Sequence, residues 1–150
     1  MTKAIAALAA ATLLVVGAPA AQAKPVDYKG KTEGGSSIKF KRSGNKIRSI
    51  NSAVPVVCVS STSSQTKAGA DIYRPGGSFK LGKTGKRKIM QRSAMGYGKL
   101  TKNYKFSSKR GRGGKITGKL DVNFSYLVPS LYGMTIYICR GVTDYSAKPR

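Results

Sequence analysis

The chain has 150 residues, with 28 Lys and Arg against 5 Asp and Glu, no histidine, and a formal net charge of +23. Such an imbalance creates a positive field that attracts polyanions. The missing histidines and scarce carboxylates remove most of the usual general acids, bases and metal ligands.

In chain order, the first element is Met1 to Ala23, with a cation at Lys3, an uncharged apolar run from Ala4 to Val16, Pro19, and the small-residue pattern Ala21-Gln22-Ala23. This is the layout of a secretory signal peptide with a cleavage site before Lys24, and the run is too short to span a bilayer comfortably. The expected organisation is therefore a signal-peptide helix over 1–23 and one domain over 24–150, exported to the extracellular space. The processed chain would carry 27 basic and 5 acidic residues, a net charge of +22. Two cysteines remain, Cys58 and Cys139. An oxidising compartment favours one disulfide between them, closing a loop of about 80 residues worth about 4 kcal/mol on the chain-entropy model. The alternative is two buried free thiols; with no C-x-x-C pair a metal site is disfavoured.

Ser37-Ile38-Lys39-Phe40-Lys41 alternates polar and apolar, Ser43-Gly44-Asn45 supplies turn residues, and Lys46-Ile47-Arg48-Ser49-Ile50 begins a return strand, together a hairpin. Ser60 to Gly69, rich in Ser and Thr, reads as an exposed loop or polar edge. Leu120, Val122, Phe124 and Tyr126 face one way while Asp121, Asn123 and Ser125 face the other, and Met134, Ile136 and Ile138 repeat the alternation before Cys139. Glycine-rich breaks at 34–35, 76–77, 96–98 and 111–114 separate these strands, and no stretch after residue 23 has helical spacing with a cap. The fold class is all-β: an antiparallel sandwich or small barrel with one disulfide.

Tyr28-Lys29-Gly30-Lys31-Thr32, the hairpin from Ile38 to Ile47, Cys58, Gly77-Ser78-Phe79-Lys80-Leu81, Gly114 to Leu120, and Cys139 followed by Tyr145-Ser146-Ala147 resemble a group of small secreted β-rich proteins of actinobacteria and their relatives. The resemblance implies a compact β domain with a cysteine bridge and supplies no catalytic residue.

Gly77 to Thr84 matches the phosphate-loop pattern G-x-x-x-x-G-K-[ST] letter by letter. A working phosphate loop joins a buried strand to a helix. Here Pro75 precedes it and Gly85 follows, so the segment reads as strand, hairpin turn at Gly82–Gly85, and returning strand from Lys86 to Gln91. No cofactor and no metal is implied. The carboxylates Asp27, Glu33, Asp71, Asp121 and Asp144 show no close pairing for glycoside chemistry, and no S-x-x-K or G-x-S-x-G element marks a nucleophile.

From Ile72 through Leu120 there are 15 Lys or Arg and no acidic residue. Two dense groups stand out: Lys83, Lys86, Arg87, Lys88 and Arg92, and Lys109, Arg110, Arg112 and Lys115. Tyr97, Tyr104 and Phe106 lie among them, as stacking platforms for bases or, for Tyr104 and Phe106, as core. The expected function is non-enzymatic binding of an anionic partner: a cell-envelope polymer, anionic lipid headgroups or extracellular nucleic acid, by a monomer with no transmembrane span. A soluble surface with no ligand, a secreted hydrolase or nuclease, and a basic antimicrobial or inhibitory protein are the alternatives.

Overall fold

The structure, a computed structural model, describes residues 23–92, 99–131 and 133–150. The expected signal peptide, apart from Ala23, and Tyr97 lie outside the described residues. Among the described residues ten strands follow one another: β1 Val26–Thr32, β2 Ser37–Ser43, β3 Lys46–Ser60, β4 Thr66–Tyr73, β5 Ser78–Lys80, β6 Thr84–Arg92, β7 Lys99–Ser107, β8 Lys109–Arg110, β9 Ile116–Ser130 and β10 Gly133–Pro149, with a 3-10 turn at Arg112–Gly114. Every pairing is antiparallel, in one sheet of order β4-β3-β2-β1-β10-β9-β7-β6, with β5 on β3 and β8 on β9.

The frame of the molecule is the pair of long strands β3 and β10. They bond directly at their upper ends, Val57–Ser60 against Tyr137–Arg140. Below that point the β1–β2 hairpin is wedged between them, with β1 on β10 and β2 on β3. Glycines permit the close crossings. A Cβ on Gly141 would lie 2.4 Å from the Pro55 carbonyl oxygen, and one on Gly30 1.8 Å from that of Ser146. The outer wings fold towards each other, so that Tyr73 of β4 meets Tyr104 of β7 edge-on at 5.0 Å and Phe79 of β5 meets Phe106 of β7 at 5.2 Å. The enclosed core includes Ile38, Phe40, Ile47, Val54, Phe106, Ile116, Leu120 and Val122, each nearly inaccessible.

Cys58 and Cys139 are directly opposed residues of β3 and β10, bonded with Cα atoms 3.9 Å apart. The bridge fixes the two long strands just above the wedge. The hairpin from Ile38 to Ile50 forms as its alternation requires, with one departure. A register shift between Lys39 and Lys41 against β3, with Ser49 at φ 53°, makes a bulge. It buries both Ile47 and Ile50, three residues apart, on the same side.

Two expectations change. Met134, Ile136 and Ile138 do alternate, but they face outward: Thr135, Tyr137 and Cys139 take the inner side, and Ile138 is 60% exposed. The disulfide sets this phase, because Cys139 must point inward to reach Cys58. Gly82–Gly85 is not a hairpin turn either. β5 pairs with β3 while β6 pairs with β7, so this corner carries the chain from one wing to the other. Ser61 to Gln65 form an exposed loop, and β4 that follows is an edge strand.

A basic end and a lysine face

The phosphate-loop match is built as β5, a corner and β6, with no helix after it. Its backbone donors are used internally. Leu81 N–H donates to the Asn45 carbonyl (2.9 Å), Gly82 N–H to Ser108 Oγ (3.3 Å), and Lys83 N–H to the Lys80 carbonyl (3.3 Å). In a phosphate loop such groups converge on the ligand instead.

Those same hydrogen bonds assemble the basic groups. The Leu81 bond holds the corner against the β2–β3 turn, where Lys46 and Lys80 are directly paired across β3 and β5. The Gly82 bond places Lys83 beside Ser108, and hence beside Lys109 and Arg110 of β8, which are paired with β9. Arg112 follows in the 3-10 turn, exposed, and Lys115 is half-buried behind it. Lys83 of the first group thus meets the second group at one end of the molecule, the end carrying the β2–β3 turn, while Lys86, Arg87, Lys88 and Arg92 run away from it along β6.

Edge strand β6 divides its own group. Lys86 and Lys88 point outward, with Lys86 opposite Lys105 and Lys88 opposite Asn103. Arg87 points the other way, its guanidinium lying against Gly77, where a Cβ would come within 2.8 Å of Nη1. Gly77 holds φ 65° there. Arg92 ends β6, and its side chain lies outside the described residues. Lysines on such an exposed edge also discourage pairing with another chain's strand. Tyr104 and Phe106 are buried and unavailable for stacking on bases.

No protein-family model matches the chain, and no curated protein or solved structure matches it.

Further basic residues, legible only from the strand pairing, extend this end. Lys148, Lys29 and Lys39 are directly opposed on the adjacent strands β10, β1 and β2, all exposed on the outer face. Beside this row a recess of ≈ 610 Å³ is lined by Lys24, Lys41, Lys46 and Arg48, together with Ser43, Ser49, Ala23 and Pro25. Ser43 Oγ donates to the Ala23 carbonyl at 3.0 Å and so holds the N-terminal segment against the turn. The aspartates are mostly engaged elsewhere: Asp144 with Lys119 at 3.9 Å, Asp121 with Arg140 at 4.0 Å, and Asp71 with Lys102, while Asp27 reaches Lys41 at 3.9 Å.

The Asp71–Lys102 pair is internal. Both side chains face the core between β4 and β7, each nearly buried, and Lys102 Nζ stands 4.8 Å over the Phe124 ring. Asp71 Oδ2 is buried without a hydrogen-bond partner. Burial, and secondarily the negative charge of Asp71, pushes the Tyr104 phenol up to about 12. Burial also raises Tyr73 and Tyr145 above the ordinary tyrosine value, Tyr73 with help from Asp121. Their hydroxyls donate to the Lys105 carbonyl (2.8 Å) and the Ser107 carbonyl (3.1 Å). These phenols are neutral tethers of the wings. Among the described residues no three His, Cys, Asp or Glu cluster as a metal site would need.

Proposed function

We propose that this chain is a non-enzymatic, exported binding module for anionic polymers, such as a cell-envelope polyanion or extracellular nucleic acid. The observation that carries the reading is the set of like-charged neighbours at the basic end: Lys46 opposite Lys80, and Lys148, Lys29 and Lys39 in one row. Like charges directly opposite one another on a sheet are destabilising by a few tenths of a kcal/mol each. A ligand carrying many negative charges removes that repulsion and releases its counterions, which turns the cost into affinity. If export cleaves after Ala23, the Ser43–Ala23 hydrogen bond is lost, and the new α-ammonium of Lys24 adds one more cation near Lys41, Lys46 and Arg48.

The test is retention on heparin and on immobilised polyphosphate near 0.15 M salt, where the Debye length of about 8 Å screens diffuse attraction. Wild-type chain should be retained, and Lys29→Gln/Lys39→Gln/Lys46→Gln should elute at clearly lower salt. Equal elution of the two proteins would place the binding elsewhere. Cleavage of RNA or DNA by the purified wild-type chain would move the reading to a nuclease.

A further inference from the structure

On the outer face of the upper half of the sheet, aliphatic side chains gather along β3 and β10, with Ser125 and Thr66 opposite them on β9 and β4. Ile138 is opposite Val59 across β10 and β3, Ile136 is opposite Leu127 across β10 and β9, and Val57 is opposite Arg140. Ile72 of β4 continues the patch at 58% exposure, and the β9–β10 hairpin ends in Leu131, 98% exposed. From Val122 to Cys139 the chain carries no charged residue. Isolated exposed aliphatic residues need no explanation, but a set gathered on β3 and β10, with Leu127 of β9 and Ile72 of β4 at its flanks, marks a contact surface.

The charges around the patch say what covers it. Arg140 stands inside it, and in the same cross-strand row Asn123 and Asn103 lead to Lys88 on the edge strand. On the opposite flank, Ile72 shares a depression with Lys39 and Arg74. Asp121, the carboxylate nearest Arg140, already contacts it. A second copy would bring cations against cations on a chain of net charge +23. A soluble polyanion offers nothing for the isoleucines. We infer that this face docks on an anionic phospholipid surface: the aliphatic side chains enter the headgroup–acyl boundary while Arg140, Lys39, Arg74 and Lys88 engage lipid phosphates. Membrane-surface binding of this kind combines buried apolar area with attraction to anionic lipid. It needs no spanning segment, and no helix among the described residues is long and apolar enough to span.

The patch shares Lys39 and Lys88 with the basic groups, but its aliphatic side chains belong to neither, so substituting those side chains tests the lipid contact without touching the polyanion reading. The experiment is co-sedimentation of the purified chain with phosphatidylcholine vesicles containing or lacking phosphatidylglycerol, for wild type, Ile136→Asn/Ile138→Asn and Ile72→Asn. Wild type should bind the phosphatidylglycerol vesicles and retain part of that binding at high salt. Each aliphatic side chain withdrawn from water is worth about one order of magnitude in affinity. The double variant should therefore bind at least about tenfold more weakly, with heparin retention and urea midpoint unchanged. Ile72→Asn, on a different strand, keeps the test decisive if the double variant fails to fold. Vesicle binding that is equal in wild type and variants, or fully reversed by salt, overturns the inference and leaves the polyanion reading intact. Concentration-dependent dimerisation in analytical ultracentrifugation that these substitutions abolish would assign the patch to a second copy instead.

Discussion

Replacing Lys102 with Met leaves the Asp71 carboxylate at the β4–β7 contact with no cation. Asp71 Oδ2 already lacks a hydrogen-bond partner, and Oδ1 loses the one it has in Lys102. Breaking a buried pair from one side typically costs about 3–5 kcal/mol, because the remaining charge is left uncompensated in a poorly solvated site. A domain of this size has only about 5–15 kcal/mol in total, so Lys102→Met should lose a large share of its stability. Asp71→Leu with Lys102→Met removes both charges and keeps side-chain volume facing Phe124. That double variant should lie within about 1–2 kcal/mol of wild type, on either side. Urea unfolding of wild type, both single variants and the double variant completes the cycle, and the coupling between the two sites should be about 2 kcal/mol or more. A Lys102→Met variant within about 0.5 kcal/mol of wild type would show instead that water reaches the pair and that Asp71 is not left uncompensated.

Other outcomes follow from the same geometry. Reducing Cys58–Cys139, or replacing both with Ala, frees a loop of 81 residues and should cost about 4–5 kcal/mol on the chain-entropy model, read as a shifted urea midpoint with and without reductant. The raised phenols fix the sign of an alkaline effect: Tyr73, Tyr104 and Tyr145 are held neutral in the fold, so their contribution is complete below the ordinary value of 10 and is lost as pH rises, for Tyr104 through about 12. Above pH 10 each should cost up to about 1.4 kcal/mol per pH unit, and Tyr104→Phe should flatten the profile in urea titrations across that range. Lys29→Gln should raise stability by about 0.2–1 kcal/mol at low salt and by less at high salt, because it breaks the row of opposed lysines. If the chain is exported as proposed, intact-mass analysis of the secreted product should show an N-terminus at Lys24.

How much of this was legible in the sequence depended on whether an alternation carried its own phase. Ile38 and Phe40, and Leu120 and Val122, stand among polar neighbours, so their inward face is unambiguous. Around Met134 to Cys139 both sets of alternate residues contain apolar groups, and hydrophobicity alone cannot choose between them. The cysteine could have done so: Ile138 precedes a residue whose partner, Cys58, lies in the core, which forces the isoleucines outward. The bulge at Ser49 left no signal of comparable strength. The Lys83–Lys88 and Lys109–Lys115 groups were visible as local density, but the approach of Lys83 to the second group depends on the Gly82–Ser108 and Leu81–Asn45 hydrogen bonds, which join distant parts of the chain. The row Lys148–Lys29–Lys39 needs pairing between the first strand and the last, a contact that no local pattern announces. Corner and hairpin looked alike at Gly82–Gly85, since both ask for glycine and a polar residue.

Paired lysines that grip a polyanion release its counterions on binding, so the salt dependence of that binding reports on them. Affinity for a single-stranded nucleic acid or polyphosphate should fall steeply with salt in wild type. Each phosphate-neutralising cation contributes about 0.7–0.9 to the slope of log affinity against log salt. Lys29→Gln/Lys39→Gln/Lys148→Gln should therefore lower that slope by about 2. A triple variant with the wild-type slope and affinity would mean that these lysines do not hold the polyanion.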